Sequence, residues 1–341
     1  MKVRLLALTL CLLAGLASLQ AQLSPVPTPP APPPILARPT ERPDPAQVAK
    51  LDHGPQLPYQ VDPNWPQLPK GMNFGECSGV DVDKEGNVWV FNRGSWPLIE
   101  FDRSGKMLKC WTSETFRVLS SHGIRVGPDG SLWCVDVQGQ VIFKVNPDTG
   151  RILMVLGDRQ GTPGNNDSKD GFDQPTNLCF RPDGNFYVTD GYVNSRVIEF
   201  TADGEYIRHW GTLGKGDGQF SLVHDVVIDS KGLVYVADRL NARVQVFDEN
   251  GKFIAKWTNI GAPWGLVYAA HEDAIYMCDG KYDRVVKLSL DGKVLGEFGS
   301  WGKAPGKLDY VHDLTFDPAD GSIYTVEIKN WRVQKWVRRK P

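Results

Sequence analysis

The sequence predicts an all-β protein, a six-bladed β-propeller with four-stranded blades, and three observations carry that prediction. A pattern of four short apolar strands occurs five times along the chain and a sixth time with three of the four. The pattern returns at the roughly 40- to 50-residue period of propeller blades. Within each copy the strands are joined by short turns rich in Gly, Asp and Asn, residues that accept positive φ and close hairpins.

The chain opens with Met1-Lys2-Val3-Arg4, an apolar run over 5–19 and then Gln20-Ala21-Gln22, the basic, apolar, small-residue order of a secretory signal peptide. The run is shorter than the roughly 20 residues that cross a bilayer. Residues 1–21 are read as a signal peptide, with cleavage after Ala21 or, with Gly15 at the small-residue position, after Ala17. A secreted or periplasmic protein without a membrane span is expected. Residues 22–56 read as a proline-rich linker: Pro32-Pro33-Pro34, Pro39, Pro43 and Pro45 favour extended polyproline II and bury nothing. Residues 57–341 form the propeller.

The six units start at Ser78, His122, Thr176, His224, Trp264 and His312. Their first turns read Glu85-Gly86, Asp129-Gly130, Asp183-Gly184, Lys231-Gly232 and Asp320-Gly321, with His271-Glu272 in the fifth unit. The sixth unit runs out of chain after Trp336, one strand short. Pro58-Tyr59-Gln60-Val61-Asp62 alternates like a strand and is predicted to fill that edge, because an unpaired edge is an aggregation hazard.

A formal net charge of −2 offers no basic field for a polyphosphate backbone, which excludes nucleic acid as a partner. A small or neutral ligand fits better, and a monomer is expected. Cys77, Cys110, Cys134, Cys179 and Cys278 are scattered through apolar strands such as Leu132-Trp133-Cys134-Val135. They read as buried small hydrophobes, and neither a disulfide framework nor a C-x-x-C zinc site is present.

Propeller geometry puts the first strand of each blade at the central channel. Aligning blades on their first turns, with one extra residue allowed in the last, makes Ser78, His122, Thr176, His224, Trp264 and His312 a single column. Three of the six histidines of the chain stand in it, on alternate blades. Three imidazoles converging on an axis make a tetrahedral zinc site with one position open, the catalytic arrangement. His53, His209 and His271 lie off the column. The loops over the same face carry Arg93, Tyr192 and Arg239. A guanidinium grips carboxylates in two-point fashion and a phenol beside a divalent metal ionises readily, so these groups suit proton transfer on an anionic substrate. Arg196, Arg243, Arg284 and Arg332 recur before a valine at one blade position and read as scaffold.

With these residues in place, the repeats resemble NHL-type blades, and 61–336 resembles the peptidyl-α-hydroxyglycine α-amidating lyases. The matching segments are Ser121-His122-Gly123-Ile124, Val223-His224, Val311-His312-Asp313 and Asp190-Gly191-Tyr192-Val193-Asn194-Ser195-Arg196. The resemblance implies a secreted zinc-dependent carbon–nitrogen lyase that cleaves the N–C bond of a C-terminal α-hydroxyglycine into an amide and glyoxylate. It implies zinc on His122, His224 and His312, Tyr192 and Arg93 as catalytic residues, and Arg93, Arg239 and Tyr310 as substrate-binding residues. It further implies a structural calcium held by the carbonyls of Val80 and Ile124 and the carboxylate of Asp313, oxygen ligands suited to that ion. Three positions depart from the family: Tyr310 replaces a methionine, Val311 a proline and Val193 a cysteine. No stretch resembles the copper monooxygenase domain of bifunctional relatives, so the hydroxyglycine is expected to come from elsewhere.

Two other classes of function use the same parts. One is a non-catalytic propeller binding a protein or glycan on its loop face. The other is a metal-dependent lactonase or hydrolase acting on another small molecule, although calcium-dependent lactonase channels lean on acidic and amide ligands rather than histidine.

Overall fold

Second strands such as Val88–Asn92, Leu132–Asp136 and Val234–Asp238 are buried at every residue, because each is covered on both faces by neighbouring blades. Their near-continuous apolar sequence follows from that burial. Outermost strands such as Phe253–Trp257 alternate between exposed and more covered positions. In this computed structural model, residues 43–339 are described except 115 and 159. The expected signal peptide and the start of the linker lie outside the described residues.

Five four-stranded sheets are consecutive in the chain, and the sixth combines Val311–Phe316, Ile323–Glu327 and Arg332–Arg338 with Tyr59–Val61. All four-stranded sheets are antiparallel. The six innermost strands form a closed ring in which Cys77–Val82 neighbours both Ser121–Val126 and Val311–Phe316. The predicted closing strand is where the sequence put it: Tyr59 lies opposite Arg338 and Val61 opposite Trp336. Tyr59 anchors it, buried against Phe298 at a ring separation of 5.0 Å.

Of the span 22–56, expected to be linker, residues 43–56 are described. Pro45–Val48 forms a helical turn capped by Asp44. The Asp52 N–H donates to the Asn259 carbonyl at 2.8 Å, and Gln56 bridges to Glu297 on the fifth blade. Gly54 comes so close to the backbone of Gly296 that a Cβ would sit 2.6 Å from its nitrogen.

The four recurring arginines serve the scaffold. Arg196, Arg243 and Arg284 each bond the aspartate that ends the preceding strand, Asp190, Asp238 and Asp279, and Arg332 bonds Glu327 in the same way. Arg196 is wholly buried; its Nη1 and Nη2 also donate to the carbonyls of Asn166 and Gly171, at 2.9 and 2.7 Å. Thus one side chain ties a blade to the loop that enters it. Arg196→Ala strands the buried Asp190 carboxylate and those carbonyls, and should cost about 3–5 kcal/mol. Urea unfolding measures this directly, and a loss below about 1 kcal/mol, the scale of an exposed pair, would contradict the buried-tie role.

Candidate metal centre

Each innermost strand carries a β-bulge at its start. The register breaks between Cys77 and Gly79, Ser121 and Ile124, Pro175 and Asn177, Val223 and Asp225, Pro263 and Leu266, and Val311 and Asp313. Ser78, His122, Thr176, His224, Trp264 and His312 all sit in these breaks. An extra residue in one strand re-aims a side chain out of the ladder, which is how residues of a covered strand come to face the channel axis. Leu222 and Tyr310, each two residues before a histidine, take a left-handed φ of 64°, a conformation costly for non-glycine residues and concentrated at functional sites.

The three histidines meet. Their ring centroids are 4.6 to 4.9 Å apart and their ligand nitrogens lie within 4.8 Å of one another. All three are buried, at 1–3% exposure. Each Nδ1 lies 2.7 Å from the carbonyl of the bulge residue on the next blade: His122 on Thr176, His224 on Trp264, His312 on Ser78. A carbonyl only accepts, so each Nδ1 carries the proton and each Nε2 keeps its lone pair. That orientation is what a metal-binding imidazole needs from its surroundings.

Burial first, then the neighbouring imidazoles and guanidinium groups, push the imidazoles of His122 and His224 well below their usual range. Burial and the charge of Arg93 bring His312 down to about 3. Neutral imidazoles are therefore maintained, and the cluster can hold a metal ion with three nitrogen donors.

Around this centre lie the three residues expected on the loop face, Arg93, Tyr192 and Arg239, together with Tyr310. The Tyr192 hydroxyl is buried, donates to His122 Nε2 at 3.1 Å, lies 3.5 Å from His224 Nε2 and accepts from Arg239 at 3.4 Å. Arg239 stacks on Trp264, its guanidinium carbon 3.4 Å from a ring centroid, and donates to the Tyr310 hydroxyl at 3.5 Å. Tyr310 packs edge-on against Trp264 with centroids 4.2 Å apart. Arg93 donates from Nε to the Ser121 carbonyl at 3.0 Å and pairs with Glu76 at 2.8 Å. Glu76 and the supporting role of Trp264 went unread in the sequence, Glu76 because it precedes the repeat.

The off-column histidines stay away from the centre: His53 bonds Glu297, His209 bonds Tyr206 and His271 stacks on Phe316. The five described cysteines are unpaired, and all but Cys110 are buried. Among the described residues no helix is long and apolar enough to cross a membrane.

The calcium set does not fit its ion. Arg125 donates to the Ile124 carbonyl at 2.8 Å and to Asp313 at 2.9 Å, and Val80 turns its N–H toward Asp313. A cation belonging to the chain already bonds two of the three groups expected to hold calcium, the Ile124 carbonyl and the Asp313 carboxylate.

Fold and site together define a six-bladed propeller with a buried three-histidine centre on its axis. The NHL repeat model matches residues 220–247, in the fourth blade. NHL repeat-containing protein 3 of Homo sapiens is 30% identical over 304 residues, covering 82% of this chain and 84% of that protein. Peptidyl-glycine alpha-amidating monooxygenase B of Xenopus laevis is 31% identical over 305 residues, 78% of this chain. Peptidyl-alpha-hydroxyglycine alpha-amidating lyase 1 of Drosophila melanogaster is 27% identical over 349 residues, covering 86% of this chain and 61% of that protein. A solved streptogramin B lyase shares the fold, with a TM-score of 0.58 at 15% identity over 82% of this chain and 98% of its own. The chain belongs to the NHL-repeat propeller family that includes the peptidyl-α-hydroxyglycine α-amidating lyases. It spans about a third of the length of the Xenopus laevis amidating monooxygenases that it matches.

Proposed function

We propose that this chain is a zinc-dependent lyase that converts a C-terminal α-hydroxyglycine into an amide and glyoxylate. The observation that carries the reading is the Tyr192 hydroxyl, 3.1 Å from the Nε2 of a histidine held in its ligand tautomer and 3.4 Å from a guanidinium. Three neutral imidazoles suit zinc, which when bound supplies Lewis-acid polarisation of a substrate oxygen.

The chain's own residues account for the proton. Arg239 donates to the Tyr192 oxygen at 3.4 Å and holds it beside the centre. Acting as the base, the Tyr192 oxygen takes the proton of the substrate hydroxyl; the C–O bond becomes a carbonyl as the C–N bond breaks, and the electron pair leaves on nitrogen. The same proton returns from Tyr192 to that nitrogen and completes the amide. Arg93, held by Glu76 and the Ser121 carbonyl, presents its charge to the substrate carboxylate, a fixed donor that needs no reorganisation during reaction. Tyr310 and Arg239 bound the substrate side of the centre, with Trp264 behind them. Export belongs to the same reading and rests on residues 1–21.

The purified protein should release glyoxylate from an N-acyl-α-hydroxyglycine, lose that activity on chelation and regain it with zinc. No release from metal-loaded protein would sink the lyase reading. The similarity to NHL repeat-containing protein 3, whose name carries no reaction, would then favour a binding propeller.

A further inference from the structure

The channel contains a second layer of polar groups beside the histidines. We infer that the guanidinium of Arg125 is the structural cation of this propeller, standing where the family resemblance places calcium, and that the chain closes its ring of blades without that ion.

Arg125 lies on the innermost strand of the second blade, three residues after His122. Its Nη1 reaches the Ile124 carbonyl at 2.8 Å and Asp313 Oδ2 at 2.9 Å; its Nη2 reaches Asp225 Oδ2 at 3.2 Å and Asp313 Oδ1 at 3.3 Å. Asp313 is thus gripped by both arms of the fork, the two-point geometry of a guanidinium on a carboxylate. Asp225 follows His224 and Asp313 follows His312, so the ion pair joins the same three blades as the histidines. The side chains of Asp225 and Asp313 are 0% and 3% exposed, and that of Arg125 12%. On the side away from the histidines the channel opens into a cavity of about 280 Å³ lined by Asp81, Arg125, Leu266 and Thr315 among others.

The remaining acceptor capacity of the layer is also engaged. Asp313 Oδ1 takes the Leu314 N–H and Oδ2 the Val80 N–H; Asp225 takes the N–H groups of Val226 and Leu266; Asp81 takes the Val126 N–H and the Thr315 hydroxyl. Calcium asks for about six to eight oxygens at ~2.3–2.6 Å. Here the Asp313 oxygens and the Ile124 carbonyl already face N–H donors, and a dication among them would stand against a fixed positive charge. A tethered cation also behaves differently in solution. The stabilisation an ion gives a fold depends on its free concentration, growing with its logarithm above Kd, whereas Arg125 is present at every calcium level.

The test uses the full mature chain, kept zinc-loaded throughout so that loss of zinc cannot mimic loss of calcium. Elemental analysis after equilibration with millimolar calcium should find no stoichiometric calcium. Thermal unfolding midpoints in calcium-free and millimolar-calcium buffers should coincide. One calcium per chain, or a midpoint that rises with calcium, would overturn the inference. Arg125→Gln should unfold several degrees lower in calcium-free buffer and climb again when calcium is added, because the vacated carboxylates are then open to the ion. A midpoint unmoved by the substitution, or a drop that calcium leaves untouched, counts against it. If the variant does not fold, the wild-type measurements decide alone. None of these readouts depends on the proposed lyase activity.

Discussion

His224→Ala should leave a folded propeller that holds no stoichiometric zinc and releases no glyoxylate above background. The expected loss is large because the site has three protein ligands and each is individually aimed. The His224 ring is fixed by the Trp264 carbonyl at 2.7 Å and enclosed by His122, His312, Tyr192 and Trp264. Disturbing only the outer partners of a metal ligand weakens affinity about 10- to 100-fold, so removing the ligand itself should exceed that. The fold should survive, since the bulge is stabilised by its neighbours in the ladder and the void opens onto the channel axis. Two readouts separate site from scaffold: zinc content by elemental analysis, and activity at saturating zinc. His209→Ala supplies the control, because His209 bonds Tyr206 on an outer strand and should leave both readouts unchanged. If His224→Ala keeps its zinc, the three-histidine assignment is wrong.

The reason the column could be read before the structure is geometric. Every blade begins its first hairpin at a comparable distance from its bulge, so the Asp-Gly and Glu-Gly turns fix a register that carries His122, His224 and His312 into line. Closing the ring with Tyr59–Val61 was legible for a similar reason: three C-terminal strands left one edge open, and one alternating segment lay outside the repeats. The bulges themselves were not legible, because Ser78 and Thr176 look like ordinary strand residues until their ladder partners are known. Arg125 was missed because an arginine after Gly123-Ile124 reads as the solvent side of an alternating strand, whereas here that side faces a channel lined by Asp225 and Asp313 from distant blades. The contacts at the end of the linker span were not legible because its composition says only that it cannot form a core of its own; contacts of Asp52 and Gln56 with the fifth blade use backbone groups that any sequence offers.

Tyr192→Phe should lower turnover by about 10²- to 10⁴-fold, the range of a lost general acid–base group, while zinc content stays at one per chain. The substitution is informative because so little else changes. The ring keeps its edge-on packing against His122 and His224, at centroid separations of 5.4 and 5.9 Å. Arg239 keeps its stack on Trp264 and its bond to Tyr310. The loss of one buried hydroxyl should cost stability only about 1 kcal/mol. What disappears is the oxygen that both lies against the metal-facing nitrogens and accepts from Arg239. If KM is little altered and turnover falls alone, the hydroxyl acts in the chemical step. If zinc and turnover fall together, Tyr192 is holding His122 in place, and the base for the substrate hydroxyl must be sought in another group at the same centre.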